Sequence, residues 1–238
     1  MAFVDWGDPM RRLKRVLKRL LGRTQDEQPW GERDSLWYDR AFEQNQHWRE
    51  HYTKSSYYFL WTVIADRLVR RGVGSILDIG CGSGQLAQLL SDKGIRQYCG
   101  LDFSEKRIAQ ARLVCPDFEF RNEDAFKSDA FDVCDYDCLL TTEFLEHVES
   151  DIEAIRRVKP GVYFIGTVPN FPWKSHVRHF ADADAVQDRY GDLFTDFSVD
   201  FFYGNDRGKT FFLLEGIVRP AAENAVRETS AEPIRLVT

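Results

Sequence analysis

The clearest structural signal in the sequence is the stretch ILDIGCGSG at residues 76–84. An apolar run that leads through closely spaced glycines into a helical pattern predicts a strand, a tight turn and a helix. Glycines allow the turn and let a ligand approach the backbone, and the N-terminus of the following helix attracts anionic groups. The stretch therefore predicts a loop that binds a pyrophosphate or a carboxylate.

The glycine spacing indicates which of these two ligands the loop fits better. A dinucleotide-binding loop requires G-x-G-x-x-G, whereas Gly80, Gly82 and Gly84 alternate, so the third glycine comes one residue early. Asp78 stands two residues before the first glycine, where its carboxylate could accept a ligand's ammonium group. A ligand with both an ammonium and a carboxylate fits this loop better than a pyrophosphate does. The spacing therefore disfavours an NAD dehydrogenase.

Two further acidic residues follow the next two predicted strands. Asp102 ends a strand predicted over residues 97–102, where a carboxylate can accept both ribose hydroxyls of a nucleoside. Asp124 and Ala125 follow the third strand, where a carboxylate and an apolar neighbour suit the amine and the ring of adenine. Ligands of open α/β sheets bind at these strand ends. Together these residues predict a site for an adenosyl amino acid.

Short apolar runs alternate with helical stretches from residue 74 onward. This alternation predicts a parallel sheet with helices on both faces. At its end, Phe197–Tyr203 and Thr210–Val218 flank the turn-rich segment Gly204–Lys209, which predicts an antiparallel hairpin. The predicted strands before the hairpin cover residues 75–80, 97–102, 118–121, 137–142 and 162–168, and the predicted helices cover 85–93, 105–114 and 151–158.

The chain divides into four predicted parts. Residues 1–35 form a basic amphipathic helix and a linker, 36–71 an aromatic-rich helical cap, 72–219 the α/β core, and 220–238 a flexible tail. Residues 10–23 carry seven basic and no acidic residues, with apolar residues at helical spacing. Such a helix could lie on an anionic membrane surface, on an acidic partner, or on the chain's own acidic domain.

The composition argues against several classes of protein. A net charge of −6 over 238 residues disfavours a surface built for nucleic acid. The five cysteines show neither metal-site spacing nor a disulfide framework, which indicates buried thiols in a reducing compartment. No apolar run is long enough to span a membrane, and no secretory signal is visible. We therefore predict a cytoplasmic protein, with peripheral contact to the inner face of a membrane through residues 10–23 as an option.

With its glycine loop and strand-end acids, the chain resembles the class I S-adenosylmethionine-dependent methyltransferases over residues 55–218. The resemblance implies an α/β, Rossmann-like fold with a seven-stranded, mostly parallel sheet that ends in an antiparallel hairpin. It also implies S-adenosylmethionine as the cofactor. The family's first motif, its ribose acid and its adenine segment are matched by Asp78, Gly80, Gly82, Gly84, Asp102, Asp124 and Ala125, and the predicted cofactor site is completed by Cys81, Phe103 and Thr142.

The segment after the fourth predicted strand carries candidate catalytic residues. In a helix, Glu143, Glu146 and His147 would share one face, and two carboxylates with an imidazole can bind a divalent cation. This E-x-x-E-H pattern resembles the O-methyltransferases of ubiquinone biosynthesis. It also resembles the small-RNA 3′-terminal 2′-O-methyltransferases, in which a further histidine completes a metal site. Methyltransferases that use no metal also carry a Glu-His pair here, so a metal is not favoured and His147 is predicted to act near the methyl group.

The loop after the fifth predicted strand carries further candidates. Pro169-Asn170 and Arg178-His179 resemble pairs of the RNA subgroup, but Phe180-Ala181-Asp182 departs from the signature that follows there. The departure argues against an RNA substrate and against the fourth metal ligand that the RNA subgroup uses. We predict His179 as the second catalytic candidate, and His176 as another group on the substrate side.

The leading functional prediction is an O-methyltransferase that acts on a sugar, a lipid-linked glycan or a quinone-like phenol. The aromatic cap and the acidic charge balance favour a neutral or apolar acceptor over nucleic acid. One alternative is an RNA 2′-O-methyltransferase, for which the sequence supplies a single basic helix. A second alternative is a non-catalytic protein that retains the fold, against which the intact loop and acids argue.

Overall fold

Strands and helices alternate in the structure as the sequence pattern predicts. The computed structural model describes residues 30–204 and 208–220. The strands are β1 (Ser75–Ile79), β2 (Gln97–Asp102), β3 (Glu119–Asn122), β4 (Cys138–Thr141), β5 (Tyr163–Pro169), β6 (Phe194–Tyr203) and β7 (Thr210–Val218). The α-helices are α1 (Ser35–Gln44), α2 (Tyr58–Arg71), α3 (Gln85–Asp92), α4 (Glu105–Val114), α5 (Ala130–Val133), α6 (Asp151–Arg156) and α7 (Ala183–Tyr190).

The strands form one sheet in the order β3-β2-β1-β4-β5-β7-β6. Strands β1 to β5 pair in parallel, and β7 pairs antiparallel with both β5 and β6. The chain order reverses at β1, because β2 and β3 lie on one side of it and β4 on the other. Crevices at such reversal points are where open α/β sheets bind ligands.

Helices cover both faces of the sheet. Because successive side chains of a strand point to opposite faces, Ile76 and Leu77 of β1 enter different cores. Ile76 packs in a buried cluster with side chains of α2, α3 and α4, whereas Leu77 packs in a cluster with side chains of α5, α6 and α7. All five residues of β1 are buried, as expected for the central strand of a two-faced sheet.

The segment predicted as a cap forms helices and short turns. Asp34 caps α1 by accepting a hydrogen bond from the Trp37 N–H at 2.8 Å, and Gly72 ends α2 in a left-handed conformation. Between α1 and α2, the chain makes one-turn 3-10 helices at Gln46–Arg49 and Tyr52–Lys54. The Tyr52 hydroxyl donates to Asp92 of α3 at 2.7 Å, so this part of the cap is tied to the helix that follows the glycine loop.

The predicted fold class and the closing hairpin are confirmed, and three local features differ. Helix α7 and the short helix α5 lack a clear periodic pattern and were not predicted. The segment around residues 143–148 contains a single 3-10 turn at Leu145–His147 and no α-helix. All five cysteines are buried and none forms a disulfide, although the sulfurs of Cys99 and Cys134 lie 2.9 Å apart.

Some predictions concern segments that the structure does not describe. The basic segment 10–23 and nearly all of the predicted tail lie outside the described residues. Among the helices within residues 30–204 and 208–220, none combines the length and the apolar character needed to cross a bilayer.

Candidate functional site

A cleft opens where β1, β2, β3 and β4 end. It contains about 720 Å³ of space not filled by protein atoms, part of which is open to solvent. The predicted site residues that line it are Gly80, Asp102, Phe103, Asp124, Ala125, Glu143 and His147. The cleft therefore joins half of the predicted cofactor residues to part of the predicted catalytic segment.

The glycine loop has a backbone conformation that other residues avoid. Gly80, Gly82 and Gly84 have φ angles of 79°, 60° and 82°. A Cβ on Gly84 would lie 2.8 Å from the Cα of Ala111 in α4, whereas a Cβ on Gly82 would meet nothing within 4 Å. The loop is therefore packed tightly against α4 at Gly84 and is open at Gly82.

Replacing Gly84 with alanine is expected to lower the free energy of unfolding by about 3 kcal/mol, since backbone strain and a clash with α4 act together. Replacing Gly82 with alanine introduces the strain without the clash, and should cost about 1 kcal/mol. Urea denaturation followed by circular dichroism measures both values. Equal losses in the two variants would contradict the packing role of Gly84.

Asp102 at the end of β2 organises the glycine loop. One carboxylate oxygen accepts the Gly82 N–H at 3.0 Å, and the other accepts the Ser104 N–H at 2.8 Å. The side chain is 4% exposed, and the guanidinium of Arg107 lies 4.0 Å away. Burial raises the pKa of Asp102, while Arg107 and the two N–H donors oppose that shift. The carboxylate lies in the cleft at the strand end predicted for the ribose.

Asp124 and Ala125 line the same cleft after β3. One oxygen of Asp124 accepts the Phe126 N–H at 3.0 Å, and the other lies 2.9 Å from the exposed ammonium of Lys127. The carbonyl of Ala125 accepts a hydrogen bond from Arg157, the C-cap residue of α6. This bond fixes the turn to the end of α6. The turn therefore presents a carboxylate beside an apolar side chain, as the adenine prediction requires.

Five predicted cofactor residues are not among the described residues that line the cleft, namely Gly82 and Gly84 of the glycine loop together with Asp78, Cys81 and Thr142. Asp78 is buried in β1, where it accepts a hydrogen bond from the Tyr98 hydroxyl at 2.6 Å, and burial raises its pKa to about 7. Cys81 is buried against Gly100 of β2, and Thr142 is partly buried after β4. Cofactor contacts by Asp78, Cys81 and Thr142 stay predictions.

The cap supplies lining residues that the sequence pattern did not identify. The ring of Tyr38 in α1 lies 5.3 Å from the ring of Phe103 and 6.0 Å from that of His147. The guanidinium of Arg107 lies 4.7 Å from the Tyr38 ring centroid, within range of a cation–π interaction. Tyr38 therefore contacts both the cofactor side and the catalytic side of the cleft. No local motif separates it from the other aromatic residues of the cap.

Four potential metal ligands converge after β4. One donor atom from each of Glu143, Glu146, His147 and His176 lies within 4.8 Å of the other three. The sequence pattern identified the first three as a possible metal site and placed His176 on the substrate side. Because Glu143 and His147 also line the cleft, the cluster adjoins the predicted cofactor site.

The backbone beneath this cluster is not the α-helix that the spacing suggested. Glu143 has a φ of 53°, and its N–H donates to the Thr167 hydroxyl at 3.2 Å. Leu145–His147 then forms a single 3-10 turn. Arg178 donates to two carbonyl groups of this segment, and the Val177 N–H donates to the Glu146 carbonyl at 2.8 Å. Contacts with the loop after β5 therefore replace helical bonds in holding the cluster.

The two histidines of the cluster are neutral, and each is held by a hydrogen bond from its ring to a backbone carbonyl. Nδ1 of His147 bonds the Ser175 carbonyl at 2.9 Å, and Nδ1 of His176 bonds the Phe171 carbonyl at 3.1 Å. Because a carbonyl only accepts, each Nδ1 carries the proton and each Nε2 keeps a lone pair. Burial lowers the pKa of His147 to about 3 and that of His176 to about 4.

The two carboxylates are incompletely satisfied. Glu146 is fully buried, and neither of its oxygens has a hydrogen-bond partner among the described residues apart from the adjoining Glu143 carboxyl. Oε1 of Glu143 likewise has only Glu146 as a neighbouring partner. Burial raises the pKa of both groups, and the charge on Glu143 raises that of Glu146 further. Buried anions of this kind need a cation or a shared proton.

The cluster therefore fits a divalent cation. Two carboxylates and two imidazole nitrogens are a donor set that suits Mn²⁺, Fe²⁺ or Zn²⁺. Both histidines already donate their Nδ1 protons to backbone carbonyls, which is the usual arrangement behind metal-ligating imidazoles. A bound cation would give the buried oxygens of Glu146 the partner that they lack among the described residues.

Other predicted residues of the loop after β5 lie apart from this cluster. His179 is exposed and is not a member of it, so a direct role for His179 stays a prediction. The Asn170 side chain accepts the Thr210 N–H at 2.7 Å and donates to the Gly208 carbonyl at 3.2 Å. Asn170 therefore fastens the hairpin to β5.

A family model described as a methyltransferase domain matches residues 10–201. Among curated relatives, the ubiquinone biosynthesis O-methyltransferase of Nitrosospira multiformis is 28% identical over 132 residues, which are 51% of this chain and 54% of that protein. The chain spans about half the length of the curated relatives it matches.

Solved structures of methyltransferases share the fold. The N-methyltransferase NodS of Bradyrhizobium japonicum, in complex with S-adenosyl-L-homocysteine, has a TM-score of 0.59 and 15% identity, covering 79% of this chain and all of that one. The magnesium protoporphyrin IX methyltransferase of Synechocystis, also with S-adenosyl-L-homocysteine, has a TM-score of 0.54 and 18% identity. The match covers 88% of this chain and 95% of that one. With the family model matching most of its length, and with the glycine loop and strand-end acids in place, the chain belongs to the class I S-adenosylmethionine-dependent methyltransferase family.

Proposed function

We propose that this chain transfers a methyl group from S-adenosylmethionine to a hydroxyl group of a small molecule, with the help of a divalent cation. The observation that carries the proposal is the cluster of Glu143, Glu146, His147 and His176, whose donor atoms lie within 4.8 Å of one another beside the cofactor cleft. A non-catalytic protein would gain nothing from two poorly satisfied carboxylates at this place, since they weaken the fold.

The donor half of the site uses the strand-end acids and the glycine loop. Asp102 would accept the ribose hydroxyls, Asp124 and Ala125 would hold the adenine, and the N-terminus of α3 would attract the carboxylate of the cofactor. Transfer of a methyl group from a sulfonium is an in-line displacement with an activated donor. The residues of this half therefore mainly align the methyl group and exclude water.

The acceptor half of the site must remove a proton from a hydroxyl. A divalent cation held by Glu143, Glu146, His147 and His176 would supply a Lewis acid that lowers the pKa of that hydroxyl. His147 lines the cleft as a neutral imidazole, so it is also the candidate base if the reaction proceeds without a cation. Dependence of the activity on metal separates these two routes.

An aromatic wall next to the cluster favours a phenolic acceptor over a sugar or a glycan. The Phe171 ring lies 5.9 Å from the His176 ring and 5.4 Å from the Phe211 ring, and the Tyr57 ring lies 5.5 Å from that of Phe211. Phe211 is buried in the core, so the partly buried Phe171 is the ring of this group that would pack against a planar apolar substrate. The curated relatives are named as O-methyltransferases of ubiquinone biosynthesis, which agrees with a quinone-like phenol.

An RNA 2′-O-methyltransferase is the second candidate. One observation favours it. His176 joins the cluster as a second histidine, and the metal site of the RNA subgroup also contains a further histidine. The net charge of −6 opposes it. An RNA substrate would bind with a dissociation constant that rises steeply with salt concentration, whereas a small phenol would show little salt dependence.

The organisation of the chain completes the proposal. Residues 36–71 would act as a cap over a catalytic core of residues 72–219, since α1 lines the cofactor cleft. The basic segment 10–23 would bring the enzyme to an anionic membrane surface, where apolar acceptors collect.

Replacing His176 with glutamine is expected to reduce methyl transfer about 100-fold, because it removes one member of the cluster. Transfer of labelled methyl groups to simple catechols, sugars and RNA 3′ ends, with and without EDTA, measures the activity and identifies the acceptor class. The His51→Gln variant is the matched control and should retain activity within about threefold, since that side chain is exposed and lies outside the cluster. Full activity of the parent in EDTA would overturn the role of the cation.

A further inference from the structure

Tyr57 reaches the cluster of potential metal ligands from the cap. It directly precedes α2, and its ring stacks on Trp61 at 5.7 Å and meets the edge of Phe211 at 5.5 Å. These contacts with α2 and with β7 fix the ring in place. Its hydroxyl donates to Oε2 of Glu143 at 3.1 Å. A residue outside the sheet therefore holds one of the four cluster members.

The hydrogen bond distinguishes the two oxygens of Glu143. Oε2 is occupied by Tyr57, whereas Oε1 is buried and has no partner among the described residues apart from the Glu146 carboxyl. The backbone of Glu143 is held separately, because its N–H donates to Thr167 at 3.2 Å. With the backbone fixed by Thr167 and one oxygen fixed by Tyr57, the carboxylate has little freedom left to rotate.

We propose that Tyr57 is a positioning residue for the cation site, which orients Glu143 so that Oε1 is the oxygen available to a metal ion. The inference rests on the proposed cation-assisted function. Hydrogen-bond donors behind a metal-ligating carboxylate fix its orientation, and their removal typically weakens metal binding about 10–100-fold. Since Tyr57 belongs to the cap, the proposal makes the cap a part of the metal site as well as a cover for the cofactor.

The Tyr57→Phe variant tests the inference, because it removes the hydroxyl and keeps the ring. The affinity of the full-length protein for Mn²⁺ is measured by titration with electron paramagnetic resonance detection. We expect the dissociation constant to rise about 10–100-fold in the variant. Methyl transfer should recover at high Mn²⁺ concentration, so the effect appears in the KM for the metal rather than in kcat.

Tyr52→Phe is the matched control. Tyr52 lies in the same part of the chain and also donates to a carboxylate, that of Asp92 at 2.7 Å, but it lies outside the metal cluster. Its removal should leave the Mn²⁺ affinity unchanged within about threefold.

Three results would overturn the inference, and each has a different meaning. If Tyr57→Phe binds Mn²⁺ as tightly as the parent, the positioning role is wrong and the proposed function stands. If both tyrosine variants lose affinity equally, a general loosening of the cap explains the loss. If the parent itself binds no Mn²⁺, the cation-assisted function fails and the role of Tyr57 fails with it.

Discussion

Replacing Glu146 with glutamine is expected to weaken Mn²⁺ binding at least about 100-fold and to stabilise the metal-free protein. The first effect follows from the cluster, because loss of a ligand should exceed the 10–100-fold effect of losing an outer-shell partner. The second follows from burial, because the Glu146 carboxylate is fully buried and has no partner apart from the Glu143 carboxyl. An amide carries no charge and can donate to Glu143.

The stabilisation should depend on pH with a definite sign. Burial and the Glu143 charge raise the pKa of Glu146 above its ordinary value of 4.5. A group whose pKa is raised in the folded protein favours folding below its unfolded pKa, and that contribution is lost as the pH rises. The melting temperature of the metal-free variant should therefore exceed that of the parent by more at pH 8 than at pH 5. Each kcal/mol corresponds to about 2–4 °C in a protein of this size.

Excess Mn²⁺ should reverse the order of the two melting temperatures, because a ligand that binds only the folded state stabilises only the protein that binds it. Thermal unfolding with and without Mn²⁺ measures this reversal. The Glu149→Gln variant is the control, since its side chain is 73% exposed and lies outside the cluster. A Glu146→Gln protein that melts below the parent in the absence of metal would show that the carboxylate already has a stabilising partner.

The fold and the gathering of several cofactor candidates at one edge of the sheet were predictable because their signals are local. The alternation of strands and helices, the glycine spacing of residues 80–84 and the acids at residues 102 and 124 are each contained in a few consecutive residues. Once the strands are placed in a parallel sheet, their carboxyl ends come together without further information. The family match confirms the fold, and the cleft contains Gly80, Asp102 and Asp124.

The catalytic side was only partly predictable because its signals are not local. The E-x-x-E-H spacing suggested a shared helical face, but the side chains converge on a 3-10 turn that Arg178 and Val177 hold from another loop. His176 and His179 lie in the same irregular loop, and the path of that loop determines which one joins the cluster. Tyr38 and Tyr57 belong to an aromatic-rich cap in which position along the chain gives no indication of what each ring contacts.

Replacing Asp102 with asparagine is expected to weaken the binding of S-adenosylmethionine about 100-fold. Hydrogen bonds to a charged group contribute about 1.5–3 kcal/mol each, and the ribose offers two hydroxyl donors to this carboxylate. Both oxygens also accept backbone N–H groups, from Gly82 and Ser104, so the amide NH₂ would face one of these donors and disturb the loop.

The Asp124→Asn variant is the matched comparison, and its effect should stay below about tenfold. Asp124 carries a side chain that is 36% exposed and already paired with Lys127, so water and the lysine can compensate for much of the change. Isothermal titration of each variant with S-adenosylmethionine measures the two dissociation constants, and circular dichroism confirms that both proteins are folded. If the two variants lost affinity equally, Asp102 could not be the principal anchor of the ribose. The larger loss at Asp102 is expected because that one carboxylate shapes the glycine loop and is also the proposed acceptor of the ribose hydroxyls, so binding and loop geometry would depend on the same buried charge.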